Sequence, residues 1–519
     1  MSNRAVARFP WHRFPTRVFC APAGNTDWKP VPRMLGVLCM LALLLVVGCK
    51  VDQQKDIASY RTILDSGTAE PTLGPDGSLS LHTAVAMANR SSESLAVDGE
   101  AYLRAVLDRR RAVASFYPTL DLAPRYNFRE KTGGSVTVSD TTNGGTGTAT
   151  GGVNVGNGSA GNSGGRSGGV DADLDVILRG ELNVFDGLRN VNTYWRNVYL
   201  VERQRSLLLE AQEALVFDVA DVYYQVIRAQ AQVRVLEQSI RVQDERLRDV
   251  RGRNAAGVAR PLDVAQTEAQ YAGTRVTLIE ARRQVEAARS LLAYLVNRDV
   301  ERLPLSDGFT PGDDVPAVSA MIETALVERG ELAAAERAIA AAQRDVNVAV
   351  AQYYPQVTLN VAGFLYRESV PTARSWESLL EVSLPIFTAG RIEADVRAAW
   401  SFYREAQLVA SQARRRVMRD IEQGHRDLAA SRERLAELRV QLNAAAEAFR
   451  QADASYRAGR GTNLERVTAQ DLQLQAELSL VTEEIDQKLL RLQLLQGAGL
   501  LRETLLNGRT PTTAPVAAR

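Results

Sequence analysis

Three histidines, at 12, 82 and 425, and three cysteines, at 20, 39 and 49, are the chain's whole supply of imidazole and thiol. Imidazoles could do acid–base or metal chemistry, and thiols could form disulfides or bind metal, if the spacing gathered them. It does not. The histidines are scattered over 519 residues, and every cysteine lies near the N-terminus, so the rest of the chain has neither a disulfide nor a Cys-based metal site. No nucleophile elbow, phosphate loop or metal cluster occurs. Asp and Glu are abundant but fall on helical faces, where solvated roles dominate. An enzyme is therefore not expected, nor a cofactor or metal. A formal net charge of +1 gives no sign of a nucleic-acid partner.

Cys49 has the most specific setting. An apolar run, MLGVLCMLALLLVVG at 34–48, ends directly before it, and Arg4, Arg8, Arg13, Arg17, Lys29 and Arg33 precede that run. Fifteen apolar residues are short for a membrane span but suit the core of an export signal. Val46-Val47-Gly48-Cys49 resembles the bacterial lipoprotein signal, in which the Cys becomes the lipidated first residue. Lys50, rather than Asp, follows it, which in that pattern implies the outer membrane. Removing residues 1–48 takes away six basic residues and one acidic one, so the net charge falls from +1 to about −4.

The elements that must carry any function are repeated. Tyr117-Pro118 recurs as Tyr354-Pro355, an offset of 237. Phe185-Asp-Gly-Leu-Arg189 recurs loosely as Phe387-Thr-Ala-Gly-Arg391, and Ala256-Gly257 with Leu262 recurs as Ala458-Gly459 with Leu464, both at an offset of 202. Between these landmarks Leu215, Val219, Val222, Val226, Ala229, Val233, Leu236 and Ile240 step alternately by four and three, with a polar step at Gln243. The same register returns 202 residues later from Val417 to Ala452. A heptad seam of this length predicts coiled-coil packing, and the shared offset makes the chain two copies of one unit. The 35-residue difference between offsets matches the Gly/Ser/Thr/Asn tract at 133–169, whose composition predicts a disordered loop in the first copy.

After each Tyr-Pro the side chains alternate. Leu120, Leu122, Tyr126 and Phe128 oppose Thr119, Asp121, Arg125 and Asn127; Val357, Leu359 and Val361 oppose Gln356, Thr358 and Asn360. Second strands follow, with Leu174, Val176, Leu178, Leu182 and Val184 on one side, and Leu380, Val382, Leu384 and Ile386 on the corresponding side. Ile177 is an apolar exception on the polar side. Strands are expected at about 118–128, 173–184, 356–366 and 377–386. Their length and alternation suit tilted transmembrane strands, although a half-buried soluble sheet alternates identically. Four strands cannot close a barrel, and open edges are not tolerated in lipid, so several chains must share one. Pro118 and Pro355 then mark the level where helix becomes membrane strand.

Long helices are expected from Arg189 to about Arg253 and from Arg391 to about Arg457, each roughly 95–100 Å at 1.5 Å per residue. They turn near Gly257 and Gly459. Partners return from Pro261 to about Val296 and from Asn463 to about Leu501. Single helical segments at about 79–115 and 318–352 precede the strands.

This duplicated order resembles the outer-membrane efflux protein family, the TolC-like channels, in its lipidated branch. The resemblance covers about residues 79–500. It implies a long α-helical coiled-coil barrel continuous with a trimeric twelve-stranded β-barrel, four strands per chain. It further implies a homotrimer acting as a passive duct, joined through a periplasmic adaptor protein to an inner-membrane pump. The localisation implied is the Gram-negative outer membrane, lipid-anchored and extending into the periplasm. By the same resemblance the hairpin turns at Gly257 and Gly459 dock adaptor tips, and Asp263 and Glu465 narrow the periplasmic aperture. The plainer role for either acid is to complement a helix dipole in the first turn. Some relatives carry a second acid three residues on; here that place is Thr468, and the next acid is Asp471. The first Phe-x-x-Gly landmark also departs from the pattern, with its Gly one place early at the strand–helix corner.

The expected organisation is a signal segment (1–48), an N-terminal extended segment (49–78), repeat 1 (79–300), a linker (301–317), repeat 2 (318–502) and a disordered tail (503–519). The alternative to a duct is a periplasmic coiled-coil lipoprotein serving as scaffold or adaptor, with a soluble sheet. Cargo is not named by the sequence: of six Met, those at 1, 34 and 40 fall in the signal segment, so no Met-rich copper path appears.

Overall fold

The computed structural model describes residues 52–65, 72–74, 76–130, 170–307, 316–367 and 375–506. The chain divides into the units Met1–Lys55 and Asp56–Arg519, and the second carries the long helices and the sheets. Cys49, the signal segment, the glycine-rich tract and the chain beyond 506 lie outside the described residues.

Two helices, α4 (Arg189–Ala255) and α8 (Arg391–Arg457), span 67 residues each. That is about 100 Å of helix. Their partners are α5 (Pro261–Val296) and α9 (Asn463–Gly497). The heptad positions explain why they pair. On α4, Leu215, Val219, Val222, Val226, Ala229 and Leu236 are buried. On α8, Val417, Ile421, Leu428 and Leu435 are buried in the equivalent register. Gln243, the polar step in the first seam, is buried, and its amide nitrogen donates to Thr274 Oγ1 of α5 at 3.0 Å. The largest core joins α4 to α5, α9 and the N-terminal helices, through Tyr223, Tyr224, Leu292, Leu492 and Leu501.

Four segments differ from the sequence expectation. Residues 49–78 were expected to be extended, yet α1 (Gln53–Leu64) forms there. Tyr60 and Leu64, four residues apart, are both buried, which gives this stretch a helical apolar face. The stretch 79–115 holds a two-residue strand, β1 (Leu79–Ser80), and two helices, α2 (Leu81–Ser91) and α3 (Glu93–Ala114). Ser92 separates the helices: its backbone is extended and its hydroxyl accepts from Leu95 N at 3.2 Å, capping α3. In the second copy Arg329 is extended in the same way between α6 (Val318–Glu328) and α7 (Gly330–Val350). β1 pairs in parallel with β4 (Leu305–Ser306). At the C-terminal end α10 (Leu501–Leu506) enters the stretch expected to be a disordered tail, because Leu505 and Leu506 are buried in the core.

The larger sheet comprises β2 (Thr119–Glu130), β3 (Val170–Phe185), β5 (Gln356–Arg367) and β6 (Trp376–Ser383), in the order β2-β3-β5-β6 and antiparallel throughout. Each repeat gives one hairpin, and the β3–β5 pairing fuses the hairpins. β6 stops at Ser383, short of the expected 386, because Pro385 has no amide hydrogen for the ladder. Pro118 stands between α3 and β2. Pro355 stands between a short 3-10 turn (Ala351–Tyr353) and β5.

Candidate aperture at the hairpin tips and the membrane-facing sheet

The two hairpin turns are built alike. Gly257 and Gly459 hold φ of +75° and +73°, which glycine adopts without a Cβ penalty. Each return helix then starts with an acid at its third position that accepts from the N-cap backbone N–H, and in α9 the N-cap side chain completes a capping box. At α5, Asp263 Oδ2 accepts from Arg260 N at 3.1 Å, and Oδ1 accepts from the Arg260 guanidinium at 3.0 Å. At α9, Glu465 Oε2 accepts from Thr462 N at 3.1 Å, and Glu465 N donates to Thr462 Oγ1 at 3.2 Å.

The two expected aperture acids therefore differ. Asp263 is only 5% exposed, with its charge matched by Arg260. Glu465 is exposed and, apart from its cap, open to solvent. Asp471 accepts from Gln270 Nε2 at 2.5 Å, so it serves the contact between α9 and α5.

The tips are also locked to each other. Fully buried Asn463 donates to the carbonyl of Asp263 at 3.1 Å, with Thr267 Oγ1 at 3.3 Å, and accepts from Arg466 at 2.8 Å. Arg466 is buried and lies 4.1 Å over the Tyr456 ring. Arg253 of the first hairpin approaches the same ring at 5.6 Å. Arg246 of α4 bonds Gln470 and stacks on Phe449 at 4.1 Å. Burial pushes the Arg246 guanidinium down to about 10, with Arg466 and Arg457 acting the same way and Asp453 opposing. Burial likewise lowers Arg466. Asn463, Arg466, Arg246 and Tyr456 are not among the sequence candidates. Their one signal is that Asn463 falls where the first copy has Pro261, 202 residues earlier.

At the other end, the sheet leaves its apolar face uncovered. Leu120 is 70% exposed and Val382 63%; Leu122, Leu178, Val184, Val361, Leu365 and Leu380 are exposed as well. Exposed aromatic residues flank this face. Phe116, Tyr117, Phe185, Tyr353, Tyr354 and Phe387 lie at the helical end, and Tyr126, Tyr366 and Trp376 at the far end. From Tyr117 to Tyr126 the chain rises about 30 Å along the strand, roughly 21 Å in height at a 45° tilt. An apolar band between aromatic girdles is what a membrane-spanning barrel presents. A soluble sheet would bury that face.

The departure at the first strand–helix corner has a simple resolution. Gly187 and Leu188 are both left-handed, with φ of 68°, and so are Ala389 and Gly390, at 52° and 81°. Each corner needs two successive left-handed residues. The glycine takes the first place in one copy and the second in the other, so the corner does not move.

The sequence matches the family described as Outer membrane efflux protein over residues 98–298 and 321–499. The probable efflux pump outer membrane protein TtgC of Pseudomonas putida is 24% identical over 330 residues, covering 62% of this chain and 67% of that protein. The pyoverdine export outer membrane protein OpmQ of Pseudomonas aeruginosa is 30% identical over 263 residues, covering 48% of this chain and 54% of that protein. Among solved structures, the Campylobacter jejuni CmeC outer membrane channel matches with a TM-score of 0.69 at 14% identity, covering 81% of this chain and 86% of that one, a likeness of fold. The fold is TolC-like, and the chain belongs to the outer membrane efflux protein family. It is an outer-membrane channel component of a tripartite efflux system, reaching into the periplasm, and not an enzyme. The scaffold alternative, which needs a soluble sheet, is thereby removed.

Proposed function

We propose that three copies of this chain close one twelve-stranded barrel in the outer membrane and continue inward as a helical duct. The observation that carries this is the sheet itself: four strands, an exposed apolar face, and outer edges β2 and β6 that pair with no further strand among the described residues. Two chains would give eight strands and three give twelve; the long coiled-coil helices and the family favour three. Pro118 and Pro355 stand at the periplasmic face of the outer membrane. A lipid on Cys49 anchors the N-terminus to the same membrane.

The hairpin tips form the periplasmic mouth. Gly257 and Gly459 mark the turns where a periplasmic adaptor, itself joined to an inner-membrane pump, docks. Glu465 supplies the aperture charge, three carboxylates per trimer, which would favour cations in a narrow pore. Asp263 supports the mouth rather than lining it, since its carboxylate is already used by the cap and by Arg260. Cargo passes through without chemistry.

Light scattering on the detergent-extracted full chain tests the assembly. A mass of three chains supports the barrel. A monomer that stays soluble without detergent once Cys49 is replaced by Ser contradicts it.

A further inference from the structure

Across the sheet, on the face opposite the exposed apolar one, cross-strand pairing sets side chains in rows. Asp121 pairs with Arg179, and Ala362 continues to Glu377, so that row is charged. The next row toward the far end is apolar: Ala123, Ile177 and Phe364. The row beyond it is Arg125, Asp175 and Arg367.

Two features show that this step is built. The pairing of β3 with β5 slips between Val176 and Ile177: Ile177 faces Phe364 while Val176 faces Tyr366, leaving Leu365 as an extra residue. Such a bulge re-aims the side chains beyond it. Leu365 and Tyr366 are both exposed, and Arg367 returns to the polar face. There its guanidinium lies 3.6 Å from the Phe364 ring centre and 3.8 Å from Asp175. Ile177, at 6% exposure, is the one buried apolar side chain of this sheet among the described residues.

We propose that Ile177, Phe364 and Arg367, with Arg125 beside them, form a cargo-contact ring in the outer half of the barrel lumen, a site for aromatic anions. This rests on the trimeric channel reading, which makes the polar face the lumen and repeats the step three times. The outer face of a guanidinium stacked on phenylalanine offers a flat surface for a second ring. Two arginines against one aspartate leave the row net positive, which selects an acid group on the ligand. The ring is separate from the periplasmic mouth and acts on what leaves, not on what enters.

The test uses the full chain reconstituted in planar bilayers, with 8-anilinonaphthalene-1-sulfonate added on the outer side as the probe. The probe is expected to block wild-type current, and Arg367→Gln or Phe364→Ser to raise the half-blocking concentration about tenfold. Leu365→Ala, on the lipid side of the bulge, is expected to leave it unchanged. Arg367→Lys keeps the charge but loses the flat surface and should fall between. Equal block in wild type and Arg367→Gln, with channels of normal conductance, overturns the ring. Wild-type protein that forms no trimer and no channel overturns the channel reading instead, and the ring with it.

Discussion

Asn463 places its side-chain amide 3.1 Å from the backbone carbonyl of Asp263, so each hairpin tip holds the other through a fully buried contact. The same amide accepts from Arg466, itself buried against Tyr456. Asn463→Ala takes one partner from a buried carbonyl, which keeps the Thr267 hydroxyl, and one from a buried guanidinium, which keeps Asp453. It should cost about 2 kcal/mol and loosen the tips. The expected result is a lower thermal midpoint together with a higher mean single-channel conductance. Stability loss with unchanged conductance would confine the contact to folding.

The two aperture acids separate cleanly by substitution. Glu465→Gln removes the charge but keeps a side chain able to complete the capping box with Thr462. It should weaken cation preference, seen as a reversal potential moving toward zero in a salt gradient, with little change in stability. Asp263→Asn should do the opposite. It disturbs a buried cap paired to Arg260, so stability falls by about 1 kcal/mol while selectivity holds.

Leu188 carries a φ of 68°, where its counterpart Gly390 carries 81°. A non-glycine residue held there is strained by about 1 kcal/mol. Leu188 is exposed, so it has little packing to lose. Leu188→Gly is therefore expected to stabilise the corner by up to that amount, read as a higher midpoint of thermal unfolding. The unfolded-state entropy of glycine offsets part of the gain.

Glu213 brings pH into the stability of the joint between repeats. Its carboxylate accepts from Leu501 N at 3.0 Å, at the start of α10. Burial pushes its pKa up to about 7 from 4.5, with Glu210 adding to the rise and Leu501 N, Arg502 and Arg329 opposing it. The native state thus holds this proton more tightly than the unfolded chain between those values. Stability from this group is full below about pH 4.5 and is lost as pH rises through 7, by about 3 kcal/mol in all. Glu213→Gln keeps the acceptor and removes the titration. Its melting temperature should fall less between pH 5 and pH 8 than that of wild type.

The duplication and the fold class were legible because a heptad seam and its flanking landmarks recur at one offset, and coiled-coil packing enforces that register. The strand type was legible from alternation, since each side chain answers only to its own face. The features that escaped depend on contacts between distant residues. Ser92 sits inside an otherwise helical pattern, and only tertiary packing decides that its hydroxyl caps a new helix there. The β3–β5 pairing that fuses the hairpins, and the bulge that turns Arg367 inward, arise from how two copies meet. At the mouth, sequence finds both acids but cannot tell that Arg260 shields one. Asn463 gains its role only by lying against Asp263, 200 residues away.

The central claim is that three chains close a conducting barrel. Its most direct measurement is single-channel recording on purified full-length protein whose mass in detergent has been determined by light scattering. The predicted result is a trimer with a small, cation-preferring conductance whose cation preference weakens when Glu465 is replaced by Gln. A monomer or dimer that gives no channels would contradict it.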